Sequence, residues 1–291
     1  MTVDTFASHA CEASFAFVST RIVQHKCIAR DTWQLTVGSS ELACRALPGQ
    51  FFMVRIAGQN DPLIGRALAM YDRHMDKNGQ PEAISVVYTV KGKFTQALSL
   101  CVSGDRIDLW GPLGNAFSTE PTEHLILVAG GVGQTPMLTL AGAAIGKCQY
   151  GDPPQLNHYA KRVTLCYGAR TKDYLAGISD FENNCSQVRI ATDDGSQGHH
   201  GRVTDLVRAI LEESSINCRI ACCGPEPMME GVSLIALEYK VPCEVSLETP
   251  MACGIGICFT CVAKIKQANG EWDYKRTCIE GPVFDAQQVV W

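Results

Sequence analysis

The segment MACGIGICFTC constrains this chain more than any other feature. Cys253, Cys258 and Cys261 stand in a Cys-x4-Cys-x2-Cys run, and Cys278 follows in KRTC. That is the ligand spacing of a plant-type [2Fe–2S] cluster. Three thiolates must converge from one tight loop, and the fourth must arrive from a separate strand to complete the second iron. Gly254 and Gly256 let the loop curl close to the sulfides, where a Cβ would clash and bare N–H groups can donate to sulfur. Zinc is the nearest alternative, but its sites favour two separated pairs of closely spaced cysteines.

A disulfide framework is the other alternative, and composition weighs against it. The chain has 15 cysteines, an odd number, and those outside the motif are scattered singly through apparent strands and helices. Cys101, Cys166 and Cys218 lie among apolar neighbours, where free cysteine behaves as a small hydrophobe. The start MTVDTFASHACEASF shows no charged-then-apolar leader, so the expected location is cytoplasmic. There a cysteine cluster binds metal rather than forming disulfides. A net charge of −5 with no basic run argues against nucleic acid and anionic membrane as partners. The most apolar stretch, Leu125 to Gly146, is broken by Gln134, Thr135, Pro136 and Thr139, and reads as a glycine turn and buried helix, not a membrane span.

A length of 291 residues with 46% apolar residues predicts two compact domains and a small third unit. Residues 1–18 carry little signal and read as an arm. Over 19–118, short β-type runs split by turns (TRIVQHKCIARDTWQLTVG, GQFFMVRIAG, ISVVYTVKG, DRIDLWGPLG) predict a small antiparallel barrel. Over 119–247 strand and helix patterns alternate, as in an open parallel sheet with helices on both faces. Residues 248–291 hold the cysteines and a hairpin pattern turning at Asn269-Gly270. The predicted fold class is β barrel plus α/β.

Gly130, Gly131 and Gly133 follow the strand LILVA and open a helix, which makes a backbone-lined pocket suited to a pyrophosphate. A tight strand–helix turn needs glycine for packing in any case. Cys223, Gly224 and Pro225 close a later strand at the carboxyl edge, where open sheets bind ligands, although a plain strand exit reads the same. Thr192-Asp193-Asp194-Gly195 ends another strand on that edge, and the three together favour a nucleotide. In the barrel, Arg66 precedes a strand; such an arginine is usually a solvated rim charge, yet it is also the side chain best suited to a flavin diphosphate. Lys91-Gly92-Lys93-Phe94-Thr95 begins a helical pattern, and Gly111-Pro112-Leu113-Gly114-Asn115 reads as a double turn leaving the barrel.

In this order the segments resemble the ferredoxin–NADP reductase superfamily and, more narrowly, the electron-transfer subunits of NAD-dependent dihydroorotate dehydrogenase. SLETPMACGIGICFTC, YKRTCIEGPVF, GPLGN, AGGVGQTPM, TDDGSQGHHGRVTD and CGPEPMM carry the resemblance, which spans roughly residues 19 to 291. It implies that Cys253, Cys258, Cys261 and Cys278 hold the cluster. It places Arg66, Ala67, Leu68 and Ala69 on the FAD motif, Val87, Tyr88 and Thr89 on the next flavin strand, and Phe94 and Thr95 near the pyrophosphate. Gly130, Gly131, Gly133, Cys223, Gly224 and Pro225 take the NAD pocket, and Asp193 and Asp194 favour NAD over NADP.

The implied function is electron transfer. An FMN-containing catalytic subunit oxidises (S)-dihydroorotate to orotate in pyrimidine biosynthesis; its electrons enter the cluster singly, pass to FAD and leave as hydride to NAD+. The implied assembly is a heterotetramer with two copies of each subunit, and no residue here is expected to act as a proton-transfer catalyst. Several residues depart from the pattern. Ala67 and Ala69 replace Pro and Ser, Phe94 replaces a Gly and so narrows the pyrophosphate approach, and Thr249-Pro250 replaces an Arg. Two rivals follow: a free-standing NAD(P)H reductase feeding a ferredoxin or oxygenase, and a cluster-bearing regulatory subunit whose flavin site has decayed.

Overall fold

The structure, a computed structural model, describes residues 15–213 and 216–291. The first half is built of short strands rich in β-branched, aromatic and other apolar residues, most of them buried along much of their length, and it closes on itself. Its elements are β1 (Ala16–Ala29), β2 (Thr32–Gly38), α1 (Ser40–Arg45), β3 (Phe51–Ile56), β4 (Arg66–Met75), β5 (Pro81–Thr89), α2 (Lys93–Ser99) and β6 (Arg106–Leu113). The strands form a closed antiparallel barrel in the order β1-β2-β5-β4-β3-β6. Closure leaves no open edge. Most of the predicted arm lies outside the described residues, but β1 already begins at Ala16. GPL, predicted to turn, instead continues β6, and the chain turns at Gly114-Asn115.

The second half contains β7 (Thr122–Gly130), a short 3-10 turn (Gly131–Gln134), α3 (Met137–Ala144), β8 (Ala160–Ala169), α4 (Ile178–Asn184), β9 (Gln187–Thr192), β10 (His199–His200), α5 (Val203–Glu213), β11 (Cys218–Cys223), α6 (Glu226–Tyr239) and β12 (Cys243–Ser246). The C-terminal segment adds a hairpin of β13 (Val262–Lys266) and β14 (Trp272–Arg276), then β15 (Val283–Asp285). The sheet order is β10-β9-β8-β7-β11-β12-β15, parallel except for β15. Succession reverses between β7 and β11, which sets the binding crevice beyond their carboxyl ends. The helix predicted over TKDYLAGISDFE is shorter, because Gly177 takes a left-handed conformation at φ +68° and α4 starts after it.

The two halves share one apolar core. It runs from Phe52, Met70 and Tyr71 in the barrel to Leu125, Leu127 and the wholly buried α3. Polar contacts pin the seam. Tyr71 Oη donates to Asp180 Oδ2 at 2.6 Å, Arg73 donates to the Gln149 carbonyl at 2.6 Å, and Arg30 pairs with Asp173 at 2.6 Å. Behind the cysteines, Asn115 ties the barrel exit to the C-terminal segment by bonds to and from Val283. Among the described residues no helix is long and apolar enough to cross a membrane.

Candidate functional site

The cysteine loop is laid on the barrel wall. Phe51, Met53 and Leu113 cluster with Met251, Cys261 and Cys278. Gly254 sits at φ +72°, and a Cβ there would stand 2.5 Å from Met53 Cγ, so only glycine passes. Trp110 of β6 donates its indole N–H to the Cys253 carbonyl at 2.8 Å. Arg276 holds the Gly256 carbonyl at 3.1 Å, and Thr277 donates backbone and hydroxyl to the Cys261 carbonyl at 2.8 and 3.0 Å.

All described cysteines are free thiols. Among the described residues no three His, Cys, Asp or Glu side chains are gathered to hold a single metal ion. A binuclear cluster asks instead for two thiolates per iron. Cys253 lies against Cys258, and Cys278 lies against Cys261 with Cys253 also within reach, so the four thiols gather in one place. The thiols differ in environment. Cys258 is exposed, and hydrogen bonds from the Thr260 hydroxyl and backbone pull its thiol down to about 6. Burial pushes the Cys278 thiol up to about 12, so its thiolate forms at neutral pH only beside a metal's charge. The donor set therefore fits the cluster.

On β4, alternation puts Arg66 and Leu68 on one face and Ala67 and Ala69 on the other. Arg66 is exposed and has no ion pair or hydrogen bond among the described residues, so its guanidinium is available to an anion. Gly92 caps α2 at φ +92° with open space where a Cβ would stand. The narrowing expected from Phe94 does not arise: its side chain is 3% exposed and packs into the core, leaving its backbone at the helix start. The Thr95 hydroxyl is locally engaged, accepting from Lys91 N at 2.7 Å and donating to the Gly92 carbonyl at 3.2 Å. Val87 and Tyr88 are buried on β5, Thr89 is half-buried, and Tyr88 Oη bonds His25 Nε2 at 2.9 Å. An arginine free at one end and an open glycine at the other suit a flavin diphosphate.

The glycine turn divides into packing and cradle. A Cβ on Gly130 would meet Met228 Sδ at 2.6 Å, and one on Gly133 would run into the Cys223 carbonyl. Gly224 in turn abuts Gly130, its would-be Cβ 2.9 Å from Gly130 N. These contacts lock the ends of β7 and β11 together. Gly131 alone is open, at φ +54° with nothing within 4 Å of a would-be Cβ. It faces the crevice where a pyrophosphate would sit. Asp193 and Asp194 lie exposed on the same edge, and Asp194 is held low by the Ser196 hydroxyl and N–H.

A cavity of about 260 Å³ lies at the opposite edge of the sheet, lined by His124, Arg162, Arg189 and Glu213 among others. His124 is fully buried, and desolvation with the nearby Arg162 and Arg189 brings it down to about 4. It stands apart from the crevice. Sequence reasoning missed Trp110 and His25, because an indole or imidazole on a strand gives no signal of the loop it will meet.

Residues 19–117 match an oxidoreductase FAD-binding domain and residues 127–233 an oxidoreductase NAD-binding domain. Residues 248–290 match the iron-sulfur cluster binding domain of dihydroorotate dehydrogenase B. The chain is 35% identical to the dihydroorotate dehydrogenase B (NAD(+)) electron transfer subunit of Desulforamulus reducens, over 91% of this chain and 94% of that one. It is 34% identical to the subunit of the same description from Bacillus caldolyticus, over 92% and 96%. Among solved structures, an NADH-dependent reduced ferredoxin–NADP oxidoreductase superposes with a TM-score of 0.78 at 31% identity, covering 94% of this chain and 90% of that one. The ferredoxin reductase of carbazole 1,9a-dioxygenase shares the fold at a TM-score of 0.63 and 24% identity, over 78% and 67%.

Proposed function

The chain belongs to the family of dihydroorotate dehydrogenase B electron transfer subunits, and from that premise we propose that it carries electrons from a dihydroorotate-oxidising, FMN-containing partner to NAD+. When bound, the cluster supplies single-electron transfer, FAD the junction between one and two electrons, and NAD+ the hydride acceptor. The polarity of the cysteine group carries this reading. It reaches the surface at Cys258, while Cys261 and Cys278 are buried against Met53, one strand from Ala67 on β4.

The residues divide the work accordingly. Cys253, Cys258, Cys261 and Cys278 hold the cluster. Arg66 takes the FAD diphosphate, with Ala67, Leu68, Ala69, Val87, Tyr88, Thr89 and the backbone of Phe94 and Thr95 shaping the flavin site. Gly131 cradles the nicotinamide dinucleotide, while Gly130, Gly133, Cys223, Gly224 and Pro225 fix the turn. Ile257 and Phe259, which flank Cys258 in sequence, and Ile279, which lies against Gly256, are exposed by 72%, 62% and 43% and offer the partner an apolar surface beside the cluster. The assembly is a heterotetramer with two copies of each subunit, located in the cytoplasm. The three units span 19–118, 119–247 and 248–291.

Co-expression with a candidate FMN subunit tests the reading. Dihydroorotate should reduce NAD+ only when both chains are present. Isolation without a flavin-bearing partner, and turnover of NADPH with a ferredoxin alone, would sink it. The likeness to the NADH-dependent reduced ferredoxin–NADP oxidoreductase supports a second reading, in which the same sites serve a ferredoxin-type partner. The same assay, run with reduced ferredoxin, separates the two.

A further inference from the structure

Residues directly opposite on neighbouring strands share a face of the sheet. Phe17, Trp110, Met53 and Ala67 oppose one another in turn across β1, β6, β3 and β4. They make one row on the barrel wall, and the cysteine loop lies on it. Met53, fully buried, sits at the centre; a Cβ on Gly254 would touch its Cγ. Trp110 beside it donates to the Cys253 carbonyl at 2.8 Å, and Phe17 covers the indole at 6.3 Å and 24°. At the other end is Ala67, next along β4 from Arg66 and back to back with the face that carries Arg66 and Leu68. Ala67 and Trp110 pack against the same cluster, and Gly65 is held small by the Val54 carbonyl, 2.5 Å from where its Cβ would stand, with Trp110 Cη2 next at 3.4 Å.

We propose that Trp110, with Met53, is the positioning device for electron transfer between cluster and flavin. The indole N–H fixes the first ligand's carbonyl, and the packed row sets the gap the electrons cross. The proposal rests on the functional reading above. Tunnelling falls exponentially with distance; Arg276 and Thr277 tie the loop to its own segment, whereas the Trp110 bond and the packing on Met53 tie it to the barrel wall, so the gap to the barrel is set there. In the NADH-driven direction, two electrons and one proton arrive at the flavin as hydride. With both groups bound, one of the two electrons would cross the row to the cluster, the other would stay on the flavin until the cluster has passed its electron on, and the proton would leave to solvent once both have gone.

The test uses the purified holoprotein mixed rapidly with NADH, with flavin bleaching followed by absorbance and cluster reduction by freeze-quench electron paramagnetic resonance. In Trp110→Leu, bleaching should proceed at the wild-type rate while cluster reduction slows by up to about a hundredfold, the scale that a misplacement of about 1 Å brings to an oriented reaction. Trp110→Phe keeps a ring and deletes the N–H; it should slow less and shift the cluster's midpoint potential. Should the leucine variant lose iron, the phenylalanine variant decides. Unchanged cluster reduction and potential in iron-replete variants would overturn the proposal while leaving the functional reading intact. A wild-type protein whose flavin bleaches but whose cluster stays oxidised would overturn both.

Discussion

Gly131 and Gly133 stand in one turn, yet substituting each with alanine should have opposite consequences. At Gly133 the new methyl would run into the Cys223 carbonyl, which is main chain and cannot swing aside. Overpacking of this kind costs about 3 kcal/mol. It would also push apart the ends of β7 and β11, so Gly133→Ala should lose stability and dinucleotide binding together. At Gly131 the methyl meets nothing within 4 Å, and only the φ of +54° opposes it. Left-handed strain costs about 1–2 kcal/mol, and the stiffer unfolded chain returns about 0.4–1 kcal/mol of that. Gly131→Ala should therefore be destabilised by no more than about 1.6 kcal/mol. If Gly131 is the pyrophosphate cradle, as proposed, its methyl would nonetheless block the approach, and NADH affinity should fall at least about tenfold, or 1.4 kcal/mol. Urea unfolding followed by circular dichroism gives the stabilities, and NADH titration against flavin fluorescence gives the affinities. Wild-type affinity in Gly131→Ala would refute the cradle. A Gly133→Ala protein as stable as Gly131→Ala would refute the packing argument.

Arg66→Ala removes a charge-assisted contact worth about 1.5–3 kcal/mol, so FAD affinity should drop about tenfold to over a hundredfold while iron content holds; full flavin occupancy on purification would show that β4 is not the diphosphate strand. If the exposed Asp193 and Asp194 border the ribose 2′ position, NADH should reduce the flavin faster than NADPH, since a 2′-phosphate would need a cation there; equal rates in stopped flow would contradict this. His124 stays neutral in the fold, held near pKa 4 by burial and by Arg162 and Arg189, against about 6.5 unfolded. A lowered folded value means stability that is complete above the unfolded value and lost as pH falls toward 4. Between pH 7 and 4.5 the wild type should thus lose about 2–3 kcal/mol more than His124→Gln, and equal losses in urea titrations would count against it.

The order of barrel, sheet and cysteine segment was legible because hydrophobic period and turn residues act locally. The Asn269-Gly270 hairpin and the glycine turn after β7 were readable for the same reason. What stayed hidden depends on contacts distant in sequence. Phe94 reads as an obstruction at a helix start, but only the folded core shows its ring turned inward. Gly130 and Gly133 look identical to Gly131 along the chain, and only β11 beside them separates packing from cradle. Trp110 lies 143 residues from the Cys253 carbonyl it binds, beyond any local pattern. β15 joins the parallel sheet from the cysteine segment, pairing with β12, for the same reason unseen.

Anaerobic titration of the purified chain with NADH, followed by electron paramagnetic resonance and metal analysis, tests the central claim most directly. Bleaching of the flavin, then growth of a rhombic signal from a reduced [2Fe–2S] cluster, with iron and no zinc bound, is the predicted result. A chain that binds zinc, or whose iron gives no such signal after the flavin has bleached, would contradict it.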